Sequence, residues 1–364
     1  MKKSILLFSL ILIFFCNVTK PTFADPIISK VTGTVKHGDT IYISGDQFGH
    51  NDLNYSFIGF TVDETTVGSR PVNSGGWVFD EGGAYDPTVS SDQYHSGGKS
   101  LRHEHPACCN STLKYDYGKY IALDQTVFVS WWTRASWSTD GQWKMFRINW
   151  RDDIQDDAPQ MTMFNWTNSS KQFMNRPGPT TGSAGTDNYM NQVMSSLQNT
   201  WYRHDLIINL SSFDGNYDGS YTMLRYQPGD SVYSAMETNK MTHNDPPQYW
   251  RWFLWQNYAG NNMTGFEAYL DDNFIQVGSQ ARIELCDDQF WENRTSCEIQ
   301  LPLSWSTTYI SSNVNSGSFN EGDTAYLYVI DELGIVNSEG FALTVGQTAD
   351  ITVIEPPIDP RLEN

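Results

Sequence analysis

The sequence has few basic residues and no long apolar segment beyond its first residues. Of its 364 residues, 23 are Lys or Arg and 42 are Asp or Glu, which gives a formal net charge of −19. Nucleic acid is not an expected partner, because its phosphate backbone repels a surface with this net charge. Insertion into a membrane is not expected either, since no later run of residues is apolar enough to cross a bilayer.

Cysteine is also scarce, and its spacing suggests no zinc site. The sequence has no CxxC pair and no Cys/His pattern with the spacing of metal ligands. Cys286 and Cys297 flank a short polar segment and are predicted to form a disulfide. Cys108 and Cys109 are adjacent, so a strained vicinal disulfide and two free thiols are both open for them.

Residues 1–24 have the pattern of a secretory signal peptide. A Lys pair precedes an apolar run, and the segment ends in small residues at Ala24, where cleavage is expected. Cys16 follows two Phe residues, so the small residue that precedes a lipoprotein cysteine is missing. We therefore expect a secreted protein, extracellular or periplasmic, that is released rather than anchored.

Helical periodicity is rare, whereas aromatic residues make up 14% of the chain. Alternating apolar residues between Gly-rich turns predict strands at 99–104, 127–134, 143–151, 160–166, 201–210, 220–226, 250–258 and 267–277. Residues 190–199 are the one segment that we predict as a short helix or helical turn. The composition and the strand spacing predict an all-β protein built from antiparallel sandwiches.

The two ends of the chain carry halves of one pattern. Residues 38–49, GDTIYISGDQFG, resemble the opening strands of an immunoglobulin-like TIG (IPT) domain. The second half of that pattern lies in residues 281–345, with Trp305, YLYV and a final strand. The resemblance implies one Ig-like sandwich formed by residues 25–53 and 279–347 and interrupted by an insertion. A flexible tail is predicted at 348–364.

The insertion, residues 54–278, resembles a different fold. The segments that carry the resemblance are GGKSLRHE, FVSWWTR, WKMFRINW, WYRHDLIINL, DGSYTMLRY and AYLDDNFI. They are similar to concanavalin A-like jelly rolls, the group that includes laminin G-type lectins and several polysaccharide lyases. The resemblance implies a jelly-roll sandwich with a polysaccharide as partner. It leaves the activity open, because lectins, hydrolases and lyases share this fold.

Strand 143–151 has the most distinctive polar pattern of the insertion. Strand alternation places Arg147, Asn149 and Arg151 on one face together with Trp143. In so acidic a protein, this face predicts a basic groove that binds a uronate through bidentate contacts. The alternative is that the arginines form salt bridges with the acidic segment 152–157.

Cleavage of a uronate by β-elimination needs a group that neutralises the carboxylate, a base and an acid. Arg147 and Asn149 fit the first role, and His103 or His105 in LRHEHP fits the second. His204 is a further candidate. The alternative is that each of these histidines is an ordinary strand residue without a catalytic role.

Strand 250–258 is rich in aromatic residues and suggests a surface that holds sugars. We predict that Arg251, Trp255 and Asn257 bind substrate together with Trp143 and Arg151. The alternative is that the aromatic rings form the core of an aromatic-rich sandwich.

Several signatures of carbohydrate-cleaving enzymes are missing. The sequence lacks the combination of R-x-E-L, Q-[IV]-H and Y-K-A-G-x-Y-x-Q found in one jelly-roll alginate lyase family, and the E-x-D-x-x-E strand of retaining glucanases. Asp271 and Asp272 are adjacent, so strand alternation points them to opposite faces. This argues against a hydrolase with paired carboxylates and favours a structural role.

No catalytic metal is predicted, and no cofactor is certain. Asp214, Asn216 and Asp218 have the spacing that opens a calcium loop, but Arg225 stands where the bidentate Glu belongs. A hairpin turn at Asp218-Gly219 explains the same residues. A structural calcium ion elsewhere remains open.

These patterns leave two functions open. The first is a secreted protein that binds an acidic polysaccharide; whether it also cleaves the polymer by β-elimination, as a polysaccharide lyase, is left open. The second is a non-catalytic carbohydrate-binding or adhesion module, which the missing signatures favour. A structural surface protein without a glycan ligand is a weaker third hypothesis. The sequence does not define an oligomeric state.

Overall fold

The computed structural model describes residues 24–352 apart from short internal segments. The segments outside the described residues are 54–55, 59–61, 64, 71–76, 80–86, 106–111, 123, 137–142, 150–159, 166–170, 177–187, 192–197, 214–215, 243–249 and 260–264.

The described residues include 23 strands and a short 3₁₀ helix, Trp291–Asn293. In chain order the strands are β1 Ile27–Thr34, β2 Thr40–Asp46, β3 Ser56–Ile58, β4 Trp77–Phe79, β5 Thr88–Ser90, β6 Ser100–His105, β7 Thr112–Asp116, β8 Thr126–Ala135, β9 Trp143–Asn149, β10 Gln160–Asn165, β11 Lys171–Arg176, β12 Asn188–Asn191, β13 Tyr202–Asn209, β14 Gly219–Tyr226, β15 Tyr233–Lys240, β16 Trp252–Ala259, β17 Phe266–Val277, β18 Arg282–Cys286, β19 Cys297–Trp305, β20 Tyr309–Asn313, β21 Thr324–Ile330, β22 Phe341–Thr344 and β23 Thr348–Thr352. Within this described part, no helix has the length and apolar character needed to span a membrane.

The central part of the chain forms two antiparallel sheets packed face to face. The front sheet has the strand order β12-β11-β10-β9-β16-β7-β4. The back sheet has the order β15-β14-β13-β8-β17-β6-β5, and β3 pairs with β17. The two sheets form the concanavalin A-like jelly roll that the sequence predicts.

The core of the jelly roll follows from strand alternation. Val127, Val129 and Trp131 on β8 point inward from the back sheet and meet Phe146 and Ile148 on β9 of the front sheet. Large apolar side chains from both sheets therefore bury each other, which is the main stabilising contribution of such a sandwich.

Both ends of the chain meet in a second, smaller sandwich. Its strand order is β22-β21-β18-β19-β20-β2-β1-β23. Strand β19 pairs with β18 through its first residues and with β20 through its last, so it joins the two halves. Val31 and Ile43 from the N-terminal strands pack with Leu285 and Leu327 from the C-terminal ones in one core. The sandwich is Ig-like, and its membership of the TIG family stays a prediction.

Two predictions about local structure are wrong. Strand β23 pairs with β1 in the Ig-like sandwich, so Thr348–Thr352 is not part of a flexible tail. Residues 353–364 lie outside the described residues. Strand β12 occupies Asn188–Asn191, where the predicted helix was to begin, because Met190 pairs with Phe173 of β11. Residues 192–197 of that segment are not described.

The predicted disulfide is confirmed. Cys286 ends β18 and Cys297 begins β19, the two residues are partners in register, and their Sγ atoms are bonded. Both are buried against Tyr226 and Tyr328, at the contact between the two sandwiches. Cys108 and Cys109 lie outside the described residues, so their state stays open.

The disulfide closes a hairpin whose cysteines are 11 residues apart. Replacing both cysteines by serine is expected to lower the free energy of unfolding by about 2–3 kcal/mol, because the unfolded chain gains conformational freedom. Urea unfolding of the double variant and of the unaltered protein, both under oxidising conditions, measures this difference. A difference below about 0.5 kcal/mol, within the range of ordinary surface substitutions, would contradict the prediction.

Candidate functional site

The outer face of the front sheet, which points away from the core, is the candidate site. Leu254 of β16 lies between Lys114 of β7 and Arg147 of β9 in register. Thr162 of β10 lies on the other side of Arg147. These four residues form a row across four neighbouring strands.

A second row runs beside the first. Trp252 lies between Asp116 and Asn149, and Gln160 follows Asn149 on the next strand. Lys144 adds a further cation on the same face.

We name four residues of this face together the cationic face, three of them cationic and one an amide: Lys114, Lys144, Arg147 and Asn149. All four are buried; Arg147 is only 1% exposed. An electrostatic interaction is stronger in such a low-dielectric setting than in bulk water. In a protein of net charge −19, this concentration of positive charge is a local exception.

A β-bulge in β9 decides which residues share this face. The register with β10 shifts between Phe146 and Lys144, so Met145 is an extra residue without a cross-strand partner. The alternation is reversed beyond the bulge, and Lys144 joins Arg147 on the outer face. Trp143 joins the core instead. The prediction that Trp143 shares the face of Arg147 is therefore wrong.

The ring of Trp255 also belongs to the core. It lies 5.2 Å from Phe146 and 6.5 Å from Trp131, measured between ring centroids. Both Trp143 and Trp255 are buried in the jelly-roll interior, so the structure places them away from any sugar on the outer face. The alternative of an aromatic-rich core explains these two rings. Trp252, next to Asn149 in register, is a tryptophan on the outer face.

Arg251, predicted to bind substrate, forms an ion pair with Asp116. Its Nε and Nη2 atoms donate to the two Asp116 carboxylate oxygens, each at 2.6 Å. Partial burial would raise the pKa of Asp116, but the hydrogen bonds from Arg251 lower it overall. The guanidinium is thus neutralised by a bidentate partner and holds the end of β7 beside the start of β16.

The structure does not bring His103 and Arg147 together. His103 lies on β6 of the back sheet, opposite Ala268, and faces the interior like Leu101 on the same strand. Arg147 faces away from that interior on the front sheet, so the sheet itself separates the two side chains. The predicted base–neutraliser pair of these two residues is therefore not formed.

Other predicted site residues lie outside the described part of the chain in whole or in part. Arg151 is not described. His105 is the last residue of β6, opposite Phe266, and Asn257 lies in β16, but neither side chain is described.

His204 faces the apolar interior rather than a site. Its ring lies 5.4 Å from Trp131 and 5.1 Å from Tyr202 between centroids. Burial, with a smaller contribution from the positive charge of Arg225, lowers the pKa of His204 to about 3. The imidazole is therefore neutral at neutral pH and serves as a core residue.

The incomplete calcium loop folds as a turn. Asp218 accepts hydrogen bonds from the backbone N–H of Ser212 and from its hydroxyl. The side chain of Asn216 donates to the same hydroxyl. Asp214 and Gly215 lie outside the described residues, and the contacts of Asp218 support the hairpin-turn interpretation.

Sequence reasoning missed two residues of the cationic face. Lys114 could have been found, because it alternates with the buried Leu113 in β7 as a polar outward residue. Lys144 could not, because simple alternation groups it with Phe146 and only the bulge separates them.

Comparisons with known proteins find likeness only among solved structures. No protein-family model matches the sequence, and no curated protein matches it. The PL-14 alginate lyase from Aplysia kurodai is 9% identical, with a TM-score of 0.40 over 52% of this chain and 86% of that one. An alginate lyase Aly36B mutant in complex with alginate trisaccharide is 13% identical, with a TM-score of 0.41 over 61% and 98%. Lectin II from Ulex europaeus is 11% identical, with a TM-score of 0.36 over 63% and 100%. Likeness at this level assigns no activity to the chain.

Proposed function

We propose that this protein is secreted and binds an acidic polysaccharide through the cationic face. The observation that carries the proposal is the concentration of Lys114, Lys144, Arg147 and Asn149 on one sheet face of an acidic protein. Secretion is proposed from the N-terminal sequence pattern alone.

The chemistry of the face matches carboxylates better than neutral sugars. The planar guanidinium of Arg147 is suited to bidentate binding of a carboxylate, and Asn149 can donate an amide hydrogen bond beside it. Lys114 lies two strands away from Arg147, at about 9.6 Å given the usual strand spacing. A polymer with repeated carboxylates supplies partners for both cations at once. Trp252 adds an aromatic ring on the same face.

Cleavage by β-elimination is the second candidate function, and one observation favours it. Arg147 and Asn149 lie two residues apart on the same strand face, so both can contact one uronate carboxylate. Neutralising that carboxylate makes the neighbouring C–H more acidic, which is the first requirement of a lyase. The base remains to be identified, since His103 faces the interior. Without a base the same face acts as a lectin-like binding or adhesion site.

The test combines binding and turnover. Purified protein is titrated calorimetrically with soluble acidic polysaccharides of different uronates and with a neutral glucan. We expect Arg147→Ala to raise the dissociation constant about 10–100-fold, because a charge-assisted hydrogen bond contributes about 1.5–3 kcal/mol. Arg134→Ala, on the back sheet, is the matched control and is expected to leave the affinity unchanged. Equal affinity of the Arg147 variant, or equal binding of the neutral glucan, would reject the proposal.

Ultraviolet absorbance of unsaturated uronate ends, followed in the same mixtures, separates the two candidate functions. A rising signal with one polysaccharide establishes a lyase and names its sugar class. Binding with a flat signal establishes the non-catalytic module.

A further inference from the structure

A histidine and two carboxylates converge where the back sheet of the jelly roll meets the Ig-like sandwich. His95 precedes β6, Asp272 lies on β17, and Glu298 lies on β19. His95 Nε2 lies 2.8 and 3.0 Å from the two carboxylate oxygens of Glu298. One ligand-type atom from each of the three residues lies within 4.8 Å of the others. Both sandwiches therefore contribute to the cluster.

A bulge in β17 turns both adjacent aspartates toward this cluster. The register with β8 shifts between Asp271 and Phe274, and Asp272 has a φ of 48°. Positive φ is uncommon for residues other than glycine and marks a locally strained backbone. Asp271 and Asp272 both accept hydrogen bonds from the segment around His95 and Ser96. The prediction that the two carboxylates point to opposite faces is therefore wrong.

The two aspartates differ in how well they are satisfied. Asp271 accepts three backbone N–H bonds, from His95 at 2.7 Å, from Ser96 at 3.2 Å and from Asp272 at 2.9 Å. Asp272 accepts one bond at Oδ1, from the Ser96 hydroxyl at 2.7 Å. Asp271 is thus a structural anchor of the segment, and Asp272 keeps binding capacity.

The second carboxylate oxygen of Asp272 has no hydrogen-bond partner among the described residues, although Asp272 is only 5% exposed. The side chain of Asn315 lies near this carboxylate and acts to lower the pKa of Asp272, but its Nδ2 atom has no partner within hydrogen-bond distance and angle among the described residues. A buried carboxylate oxygen without a partner is costly. The ion pair between His95 and Glu298 provides no partner for Asp272 Oδ2, whereas a bound cation would coordinate this oxygen.

We propose that His95 Nε2, Asp272 Oδ2 and Glu298 bind a zinc ion at the contact between the two sandwiches. Zinc accepts imidazole nitrogen and carboxylate oxygen as ligands, and two carboxylates with a neutral histidine balance its charge. Calcium is less suited, because it takes oxygen ligands. Tetrahedral zinc, with bonds of about 2.0–2.1 Å, holds its ligand atoms about 3.3 Å apart, so the pair of His95 and Glu298 needs to open only slightly.

The surroundings hold two of the ligands in fixed orientations. The His95 ring stacks on Trp132 with centroids 3.6 Å apart. Glu298 accepts hydrogen bonds from the backbone N–H and the hydroxyl of Ser318. Gly317 lies so close that a Cβ there would be 2.0 Å from Glu298 Cδ, so a side chain at 317 would displace the carboxylate. Oriented ligands of this kind are typical of metal sites.

Metal content of the purified protein tests the proposal. The protein is stripped with a chelator, dialysed separately against zinc, manganese and calcium salts, freed of unbound metal and measured by elemental mass spectrometry. We expect one zinc ion per chain, with a higher melting temperature in zinc than in chelator, because a ligand that binds only the folded state stabilises it. Asp272→Asn and His95→Gln are expected to lose both the bound zinc and the zinc-dependent shift.

The matched control is His37→Gln, which removes an exposed histidine and is expected to bind zinc like the unaltered protein. Circular dichroism shows whether each variant is folded; if His95→Gln is not, Asp272→Asn alone decides. The proposal is overturned if the unaltered protein retains no zinc, if it prefers calcium or manganese, or if folded Asp272→Asn binds zinc equally well.

Discussion

Replacing Arg203 by methionine is expected to lower the free energy of unfolding by about 3–5 kcal/mol, the usual cost of removing one partner from a buried ion pair. The Arg203 side chain is 1% exposed and lies between the two sandwiches. Its Nε and Nη2 atoms donate to Asp205, each at 2.7 Å. Its Nη1 atom donates to Glu284 and to the carbonyl oxygen of Cys297, each at 2.9 Å.

The expected loss is large because two buried carboxylates depend on this guanidinium. Burial alone would raise the pKa of Glu284, but the charges of Arg203 and Arg282 lower it to about 2. Methionine fills a similar volume and supplies neither charge nor donors. Asp205 would then be buried without its bidentate partner, while Glu284 would keep the hydrogen bond from Arg282 at 2.5 Å and the nearby charge of Arg294.

Urea unfolding followed by tryptophan fluorescence and by circular dichroism measures the loss and shows whether the two sandwiches still unfold together. The control is Lys30→Met, which breaks the exposed Lys30–Asp350 pair and is expected to cost at most about 1 kcal/mol. A loss below about 1 kcal/mol for the Arg203 variant would contradict the prediction.

His204 is expected to make the protein acid-labile, by about 3 kcal/mol between pH 7 and pH 4. The pKa of its ring is about 3 in the folded protein, because burial and the charge of Arg225 disfavour protonation. In the unfolded chain a histidine titrates near 6.5. The unfolded state therefore binds a proton first as the pH falls. Stability is complete above about pH 6.5 and falls by about 1.4 kcal/mol per pH unit down to the folded pKa.

The variant His204→Phe keeps an aromatic ring beside Trp131 and removes the titration. Its free energy of unfolding, measured by urea titration from pH 7 to pH 4, is expected to fall by about 3 kcal/mol less than that of the unaltered protein. His37→Gln serves as the exposed-histidine control and is expected to follow the unaltered protein. Parallel pH profiles for the His204→Phe variant and the unaltered protein would contradict a neutral, buried His204. The pKa shifts of Asp271 and Glu284 are common to both proteins, so their contributions cancel when the two pH profiles are subtracted.

In the metal-free protein, the titration of His95 changes the stability in the opposite direction to that of His204. Burial would lower its pKa, but the charge and hydrogen bond of Glu298 raise it overall. A raised pKa contributes stability that is complete below about pH 6.5 and is lost as the pH rises through the folded value. The His204 comparison is therefore made against the unaltered protein at each pH, where the contribution of His95 is common to both.

The strands and the disulfide could be predicted from the sequence because both depend on short-range patterns. Alternating apolar residues identify β8, β13 and β17 with only small errors at their ends. The hairpin of β18 and β19 brings Cys286 and Cys297 together over a short loop. Arg147 and Asn149 share a face for the same reason, because they lie two residues apart in a regular part of β9.

The faces of residues near bulges could not be predicted. One extra residue at Met145 moves Trp143 into the core and Lys144 out of it. The bulge in β17 brings Asp271 and Asp272 to the same segment. The rule of alternation has a period of two, so a single unpaired residue reverses every assignment beyond it.

Contacts between distant parts of the chain were decided by the tertiary structure. His95 meets Glu298 across 203 residues, and Arg203 meets Glu284 across 81. His103 on β6 faces the interior of the jelly roll, whereas Arg147 on β9 of the other sheet faces away from it. Local sequence encodes strands and turns through backbone and side-chain preferences. Which strand faces pack against each other depends on how much apolar surface all the strands bury together. A local segment of sequence does not contain that information.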